Sequence, residues 1–257
     1  MVSFFNTINY KNDSWKTYES VMGLFIDTTY RSKETELMDD FSMKGELLRD
    51  TLDKLGKINK WLGGNHVTLD GIKKLLSNQS KDKTYTIIDL GCGHGDILRL
   101  IADFGRKNGY RFNLVGIDAN QDAIDYAIEL SSKYGEVSFK NIDIFSEDFN
   151  NLDYDIALST LFLHHFNEAE INTLLKNTSS KARLGVVVND LQRNKLAYGL
   201  FKLLGLVISN HMIVQDGLTS ILRAFKRKEL EQISENLKLK SEIRWKWAFR
   251  YQWLIKT

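Results

Sequence analysis

The sequence predicts an α/β fold: a seven-stranded, mainly parallel sheet with helices on both faces, an antiparallel C-terminal hairpin and an N-terminal helical cap. Three observations predict it. From residue 84 onward, short apolar runs alternate with stretches of helical period, the pattern of right-handed βαβ units. Before residue 84 only the helical period is present. The tail from Lys240 to Lys256 is rich in Trp, Phe, Tyr and Ile and reads as two strands joined by a tight turn.

The elements follow in order. Residues 34–62 carry Leu37, Phe41, Leu48, Leu52, Leu55, Ile58 and Leu62 three or four apart, which predicts a one-sided helix. Gly63-Gly64 stops it, Thr68 is expected to cap the next helix through about Leu76, and residues 77–82 form a polar linker. Predicted strands then cover 85–90, 112–118, 136–140, 154–160 and 184–189, and predicted helices cover 97–108, 121–133 and 168–179. Further helices are expected around 193–208, 216–224 and 226–236, an insertion before the hairpin. The expected organisation is a cap or lid over 1–83 and a ligand-binding domain over 84–257 with its insertion at about 193–236.

Composition bounds the function. Lys and Arg number 35 against 33 Asp and Glu, a net charge of +2, so binding nucleic acid through a large positive excess is not expected. Cys92 is the only cysteine, which excludes an internal disulfide and fits a reducing, cytoplasmic setting. The most apolar stretch, 200–214, is broken by Lys202, Ser209, Asn210 and His211, so no stable membrane insertion is expected. The chain contains no proline.

The chemistry concentrates at Asp89-Leu-Gly91-Cys92-Gly93-His-Gly95-Asp96, which runs from a strand through a glycine turn into a helix. In open parallel sheets ligands bind outside the carboxyl ends of the strands, and this turn is such an end. The spacing is G-x-G-x-G rather than the G-x-G-x-x-G of dinucleotide binders, which disfavours a nicotinamide oxidoreductase. Asp89 and Asp96 flank the turn; carboxylates there repel phosphate and suit a ligand bearing ammonium or sulfonium. Asp118 ends the next strand, where an acid can accept from both hydroxyls of a ribose.

Residues 85–96 resemble the first motif of class I methyltransferases that use S-adenosyl-L-methionine, and Asp118 falls at the end of their second strand. The resemblance implies their Rossmann-like fold and that cofactor. It implies that Gly91, Cys92 and Gly93 make room for the methionine part, that Asp89 reaches its ammonium and that Asp118 holds the ribose. It places Asp143 at the adenine amino group, with Ile144 and Ala119 flanking the ring. Asp143 as a plain turn residue stays open beside that. Thr160, ending the fourth strand, faces the methyl group. Amino-methylating enzymes for DNA bases and protein glutamine carry proline in the turn that follows; with no proline here, the segment resembles the ubiquinone- and menaquinone-biosynthesis branch. Residues 49–64, Val188-Asn189-Asp190-Leu191-Gln192-Arg193 and 216–225 further resemble bacterial enzymes associated with polyketide or quinone-like secondary metabolism. Those relatives commonly have a basic residue where Asn65 or His66 stands and a His near Gln192.

His164 and His165 follow the fourth strand and are the candidates for a general base. Because neighbouring residues tend to point apart, at most one is expected in the site, the other capping or packing under the next helix. Arg193 is a candidate to pair with a substrate carboxylate or phenolate, and Asp190 either contacts substrate or caps the following helix. No metal is expected, because the adjacent histidines are not i, i+4 partners. Aromatic residues Tyr10, Trp15, Tyr18, Phe25 and Tyr30 and the apolar insertion are candidate lids. The expected partner is a small-molecule methyl acceptor, methylated on a phenolic, enolic or carboxylate oxygen. Methylation of carbon in an activated ring and a non-catalytic S-adenosylmethionine-binding module stay open, as does a homodimer. RNA and protein acceptors are disfavoured by the charge and the missing proline turn.

Overall fold

The computed structural model describes residues 26–39, 43–208 and 210–257. Tyr10, Trp15, Tyr18 and Phe25 therefore lie outside the described residues. After a short 3-10 turn at Leu37–Asp39 come α1 (Gly45–Trp61), α2 (Gly64–Leu76), β1 (Thr84–Leu90), α3 (Asp96–Asn108), β2 (Arg111–Asp118), α4 (Gln121–Leu130), β3 (Val137–Asn141) and α5 (Glu147–Asn150). Then follow β4 (Ile156–Thr160), a 3-10 turn at Leu163–His165, α6 (Glu168–Lys181), β5 (Gly185–Leu191), α7 (Lys195–Leu204), α8 (His211–Arg223), α9 (Arg227–Asn236), β6 (Ser241–Lys246) and β7 (Arg250–Lys256).

The seven strands form one sheet in the order β3-β2-β1-β4-β5-β7-β6. The first five run parallel, and β7 joins β5 antiparallel with Gly185 opposite Lys256. The order reverses between β1 and β4, so the carboxyl ends of those strands open a crevice. Strands buried on both faces read as continuous apolar runs, and neighbouring β1 residues serve opposite cores. Ile88 packs with Ile171, Leu174 and Leu175 of α6 and with Leu230 and Ile233 of α9. Ile87 packs with Ile72, Leu75 and Leu76 of α2 and with Leu98 and Ile101 of α3. Helix α1 packs on α4, by Leu48 and Leu52 against Ala123 and Tyr126, and on α2.

Three local expectations need correction. The single helix over 34–62 is a 3-10 turn followed by α1, because Asp216 takes the N–H groups of Leu37 and Met38 at 2.8 and 3.1 Å and holds that stretch against α8. Thr68 does not cap α2. The helix already begins at Gly64 behind Gly63 in the left-handed region, φ +76°, and Thr68 is buried inside it. Asp190 does not cap α7 either; Asn194 does, accepting from the N–H groups of Leu196 and Ala197.

Candidate active site

The β1–α3 turn is shaped by glycine and braced by Asp118. Gly91 sits at φ +65°, and a Cβ on it would lie 2.2 Å from Cδ2 of Phe162. Only glycine allows both that backbone and that approach. Asp118 Oδ2 accepts from Gly93 N at 2.9 Å and its Oδ1 from Asn120 N at 3.0 Å, so the acid fixes the turn. Asp89 is 2% exposed, and its Oδ1 has no partner. Burial, then the neighbouring Asp96 and Asp118, push its carboxyl well above the ordinary range. Burial likewise raises Asp118, against three backbone N–H groups that favour its charge. The Cys92 thiol is fully buried and pushed up by burial, so it is not an activated nucleophile.

These residues form one end of a cavity of about 970 Å³ that also reaches Thr160, His164 and His165. That volume lies at the upper end of the range for small-molecule sites. The far wall is apolar, formed by Leu200, Phe201 and Leu204 of α7 and by Trp247 and Phe249 of the hairpin turn; Leu48, Leu52 and Leu55 of α1 cover one side.

Both histidines face this cavity, correcting the expectation of at most one. The tight turn after β4 brings the two rings to 4.4 Å, and Leu161 enters it in the left-handed region, φ +53°. Its carbonyls are held by two arginines. Arg31 donates to His164 O and Phe166 O at 2.9 and 3.0 Å, and Arg223 donates to His164 O at 3.2 Å and to His165 O. The imidazoles point inward, where Glu36 and Asp39 wait. His164 is 2% exposed and lies between Asp190, 2.6 Å from Nδ1, and Glu36, 3.4 Å from Nε2. Burial alone would pull its pKa down, but the charge and hydrogen bonds of Asp190 and Glu36 outweigh that and hold it up at about 10. His164 is therefore an imidazolium at neutral pH, with no lone pair to act as a base. His165 differs: its side chain is 21% exposed, Nδ1 is 2.5 Å from Asp39 Oδ1, and Nε2 is 3.8 Å from Glu36 Oε2. Arg223 donates to the other Asp39 oxygen at 2.7 Å. Burial opposes ionisation of Asp39, but His165 and Arg223 overcome it and keep the carboxyl well below its ordinary range.

Among the described residues, Glu36, His164 and His165 are the set whose ligand-type atoms converge, all within 4.8 Å. Adjacency in sequence was therefore no bar to convergence. Arg223 Nε stands 4.0 Å from Glu36 Oε1 and Ser220 donates to Oε2 at 2.7 Å, so cationic and neutral donors already serve that carboxylate and favour an ion-pair cluster over a cation site.

Other expected site residues lie elsewhere. Arg193 is closed off from the cavity: its guanidinium donates to Thr28 O at 3.0 Å, to Ala224 O and to both oxygens of Glu229, which leaves nothing for substrate. Asp143 is exposed and accepts from Phe145 N at 2.9 Å as a turn residue, Ile144 is buried in the sheet core, and Ala119 is exposed. None of these four lines the cavity. Sequence reasoning missed Glu36, Asp39 and Arg250. The first two lie 125 or more residues before the histidines, and nothing local marks them.

A family model described as a methyltransferase domain matches residues 81–179. A Bacillus subtilis (strain 168) protein named for 23S rRNA (guanine-N(1)-) methylation is 29% identical over 109 residues, 42% of this chain and 36% of that protein. The chain spans about a third of the length of the curated relatives it matches. Among solved structures, an O-methyltransferase family protein from Burkholderia thailandensis has a TM-score of 0.61 at 15% identity, covering 95% of this chain and 68% of that one. The plantazolicin methyltransferase BpumL in complex with SAH has a TM-score of 0.59 at 18% identity, covering 79% and 88%. These likenesses establish the fold.

Proposed function

We propose that the protein transfers a methyl group from S-adenosyl-L-methionine to an ionisable oxygen of a small molecule, a reading supported by the match of residues 81–179 to a methyltransferase-domain model. The cofactor fits two features of the site. Gly91 and Gly93, both at positive φ, line the cavity and present backbone rather than side chain to a ligand, and the unpartnered, buried Asp89 Oδ1 calls for a donor such as an ammonium, which would restore its charge. In this reading Asp118 takes the ribose hydroxyls, and Gly91, Cys92, Gly93 and Thr160 border the methionine part. When bound, the cofactor supplies a methyl group already activated by its sulfonium. What remains for the chain is to align the acceptor, exclude water and remove one proton.

The observation that carries the oxygen-directed reading is the Asp39–His165 pair on the cavity wall. In its neutral tautomer with Nδ1–H donated to Asp39, His165 would carry on Nε2 the lone pair that accepts a phenolic, enolic or carboxylic proton. Asp39 orients the ring and stabilises the imidazolium that forms. His164, already protonated, presents positive charge to the acceptor oxygen instead. The apolar far wall suits an aromatic or lipid-like body. Residues up to 83 act as the cap, a role supported by α1 bordering the cavity. Carbon methylation of an activated ring uses the same base. The RNA acceptor in the Bacillus relative's name applies to a protein that this chain spans in part, and the net charge of +2 offers no general attraction for RNA. Among the described residues no helix is long and apolar enough to cross a membrane.

The test uses methyl-labelled cofactor and an extract of the native cells, with the labelled product read by mass spectrometry and NMR. A label on oxygen, abolished by His165→Gln while S-adenosylhomocysteine still binds, is expected. A product labelled on carbon, or a His165→Gln enzyme that turns over normally, overturns the oxygen-directed reading or the base assignment respectively.

A further inference from the structure

Buried arginines in this protein are otherwise fully engaged. Arg193 and Arg223 each donate to several carbonyls and to a carboxylate, and the half-buried Arg31 donates to three carbonyls. Arg250, at the start of β7, is 2% exposed, yet its Nε and Nη1 have no partner. A guanidinium taken out of water without a counter-ion or acceptor costs several kcal/mol, so its retention calls for a ligand. Burial drags its pKa down to about 10, and the one carboxylate whose charge it feels, Asp190, is already taken by His164 Nδ1 and by the N–H groups of His164 and Leu191.

A second positive end meets it. Helix α2, thirteen residues long, begins at Gly64 with no capping side chain from Gly63, so its first N–H groups carry the positive end of the helix dipole. A Cβ on Gly64 would lie 2.8 Å from Cζ of Arg250 and 1.9 Å from Oδ1 of Asn59, so glycine alone lets the helix start press against the guanidinium. Arg250 and Asn59 both line the cavity, and Asn59 leads through Asn65 to Asp96 at the glycine turn by hydrogen bonds of 2.5 and 3.0 Å.

We infer that Arg250, which lines the cavity with the start of α2 packed directly behind its guanidinium, forms a carboxylate-binding subsite of that cavity. A buried guanidinium with unpartnered N–H groups on the cavity wall, backed by a positive helix end, describes a place for an anion, and the nearby Asp89, Asp96 and Asp118 favour a monoanionic carboxylate over a phosphate. The carboxylate comes either from the methionine part of the cofactor or from the acceptor. The first source rests on the cofactor reading above; the second does not.

Calorimetry separates them, with two probes on wild type, Arg250→Gln and Arg250→Lys. One is S-adenosylhomocysteine; the other is its decarboxylated analogue, which keeps the amine. For a cofactor carboxylate, wild type prefers the first by at least about tenfold, Arg250→Gln loses the preference and Arg250→Lys recovers part of it. For an acceptor carboxylate, both probes bind alike to wild type and Arg250→Gln, while benzoate added at saturating S-adenosylhomocysteine raises the melting temperature of wild type and not of Arg250→Gln. Benzyl alcohol, the neutral counterpart, raises neither. A preference retained in Arg250→Gln, or no benzoate response in wild type together with no preference, overturns the inference. If Arg250→Gln does not fold, the wild-type preference and benzoate response still decide it through the lysine variant. Wild type binding neither adenosyl compound would count against the cofactor reading, and the benzoate arm would still report on the subsite.

Discussion

His164→Gln removes the ionisable group held between Asp190 and Glu36 while keeping a side chain that can donate to Asp190. The folded protein holds His164 at about 10, against an ordinary value of 6.5. A group whose pKa is raised by folding contributes stability that is complete below pH 6.5 and is lost as pH climbs through the folded value. At 1.36 kcal/mol per unit, a rise of this size corresponds to at most about 5 kcal/mol between pH 6.5 and pH 10, because the partner charges share the same interaction. The assay is urea unfolding of wild type and His164→Gln at both pH values, extrapolated to water. Lysines and tyrosines titrate in both proteins and cancel in the difference. Wild type should lose about 3–5 kcal/mol more than the variant. Equal losses would mean that His164 is neutral in the fold, and the argument that it cannot serve as the base would collapse.

Asp118→Ala leaves Gly93 N and Asn120 N without acceptors and, on the proposed function, removes the ribose contact. S-adenosylhomocysteine affinity should fall by about 1–3 kcal/mol, and calorimetry giving equal affinity removes Asp118 from the cofactor site. Gly91→Ala meets both a left-handed backbone and the Phe162 ring, and should lower stability by about 1–3 kcal/mol, read by thermal unfolding; a melting temperature matching wild type contradicts the packing described. Lys238 follows α9 at φ +53° with an exposed side chain, so Lys238→Gly should raise stability by about 0.5–1 kcal/mol in the same assay, and a loss would contradict the backbone conformation.

The sequence made legible whatever is encoded locally. The β1 strand, its glycine turn and Asp118 lie within a single βα unit, where residue order alone specifies spatial order, and the structure places Asp89, Gly91 and Asp118 around one cavity. The alternation after residue 84 likewise needed only near neighbours. Partnerships across long sequence separations were not legible. Asp39 meets His165 across 126 residues and Asn59 stands beside Arg250, and no periodicity signals either. Gly63-Gly64 ends α1 as the sequence predicts, but that it also opens α2 was not legible, because a glycine that ends one helix looks the same as one that starts the next. Arg193 is expected in the site because it follows the end of β5, but its guanidinium is held by Glu229 of α9 and by the carbonyls of Thr28 and Ala224.

Leu161 is a bulky residue held at φ +53° between β4 and the histidine turn. A side chain of that size pays conformational energy there, tolerated where the surroundings dictate the bend. The bend sets the register of everything after it. One residue added or removed at this hinge would rotate the following turn, carry both imidazoles off the wall and strip the arginines of their carbonyls. The length of this connection is thus fixed even where its composition is free, and reshaping the cavity has to proceed through α7 and the hairpin instead.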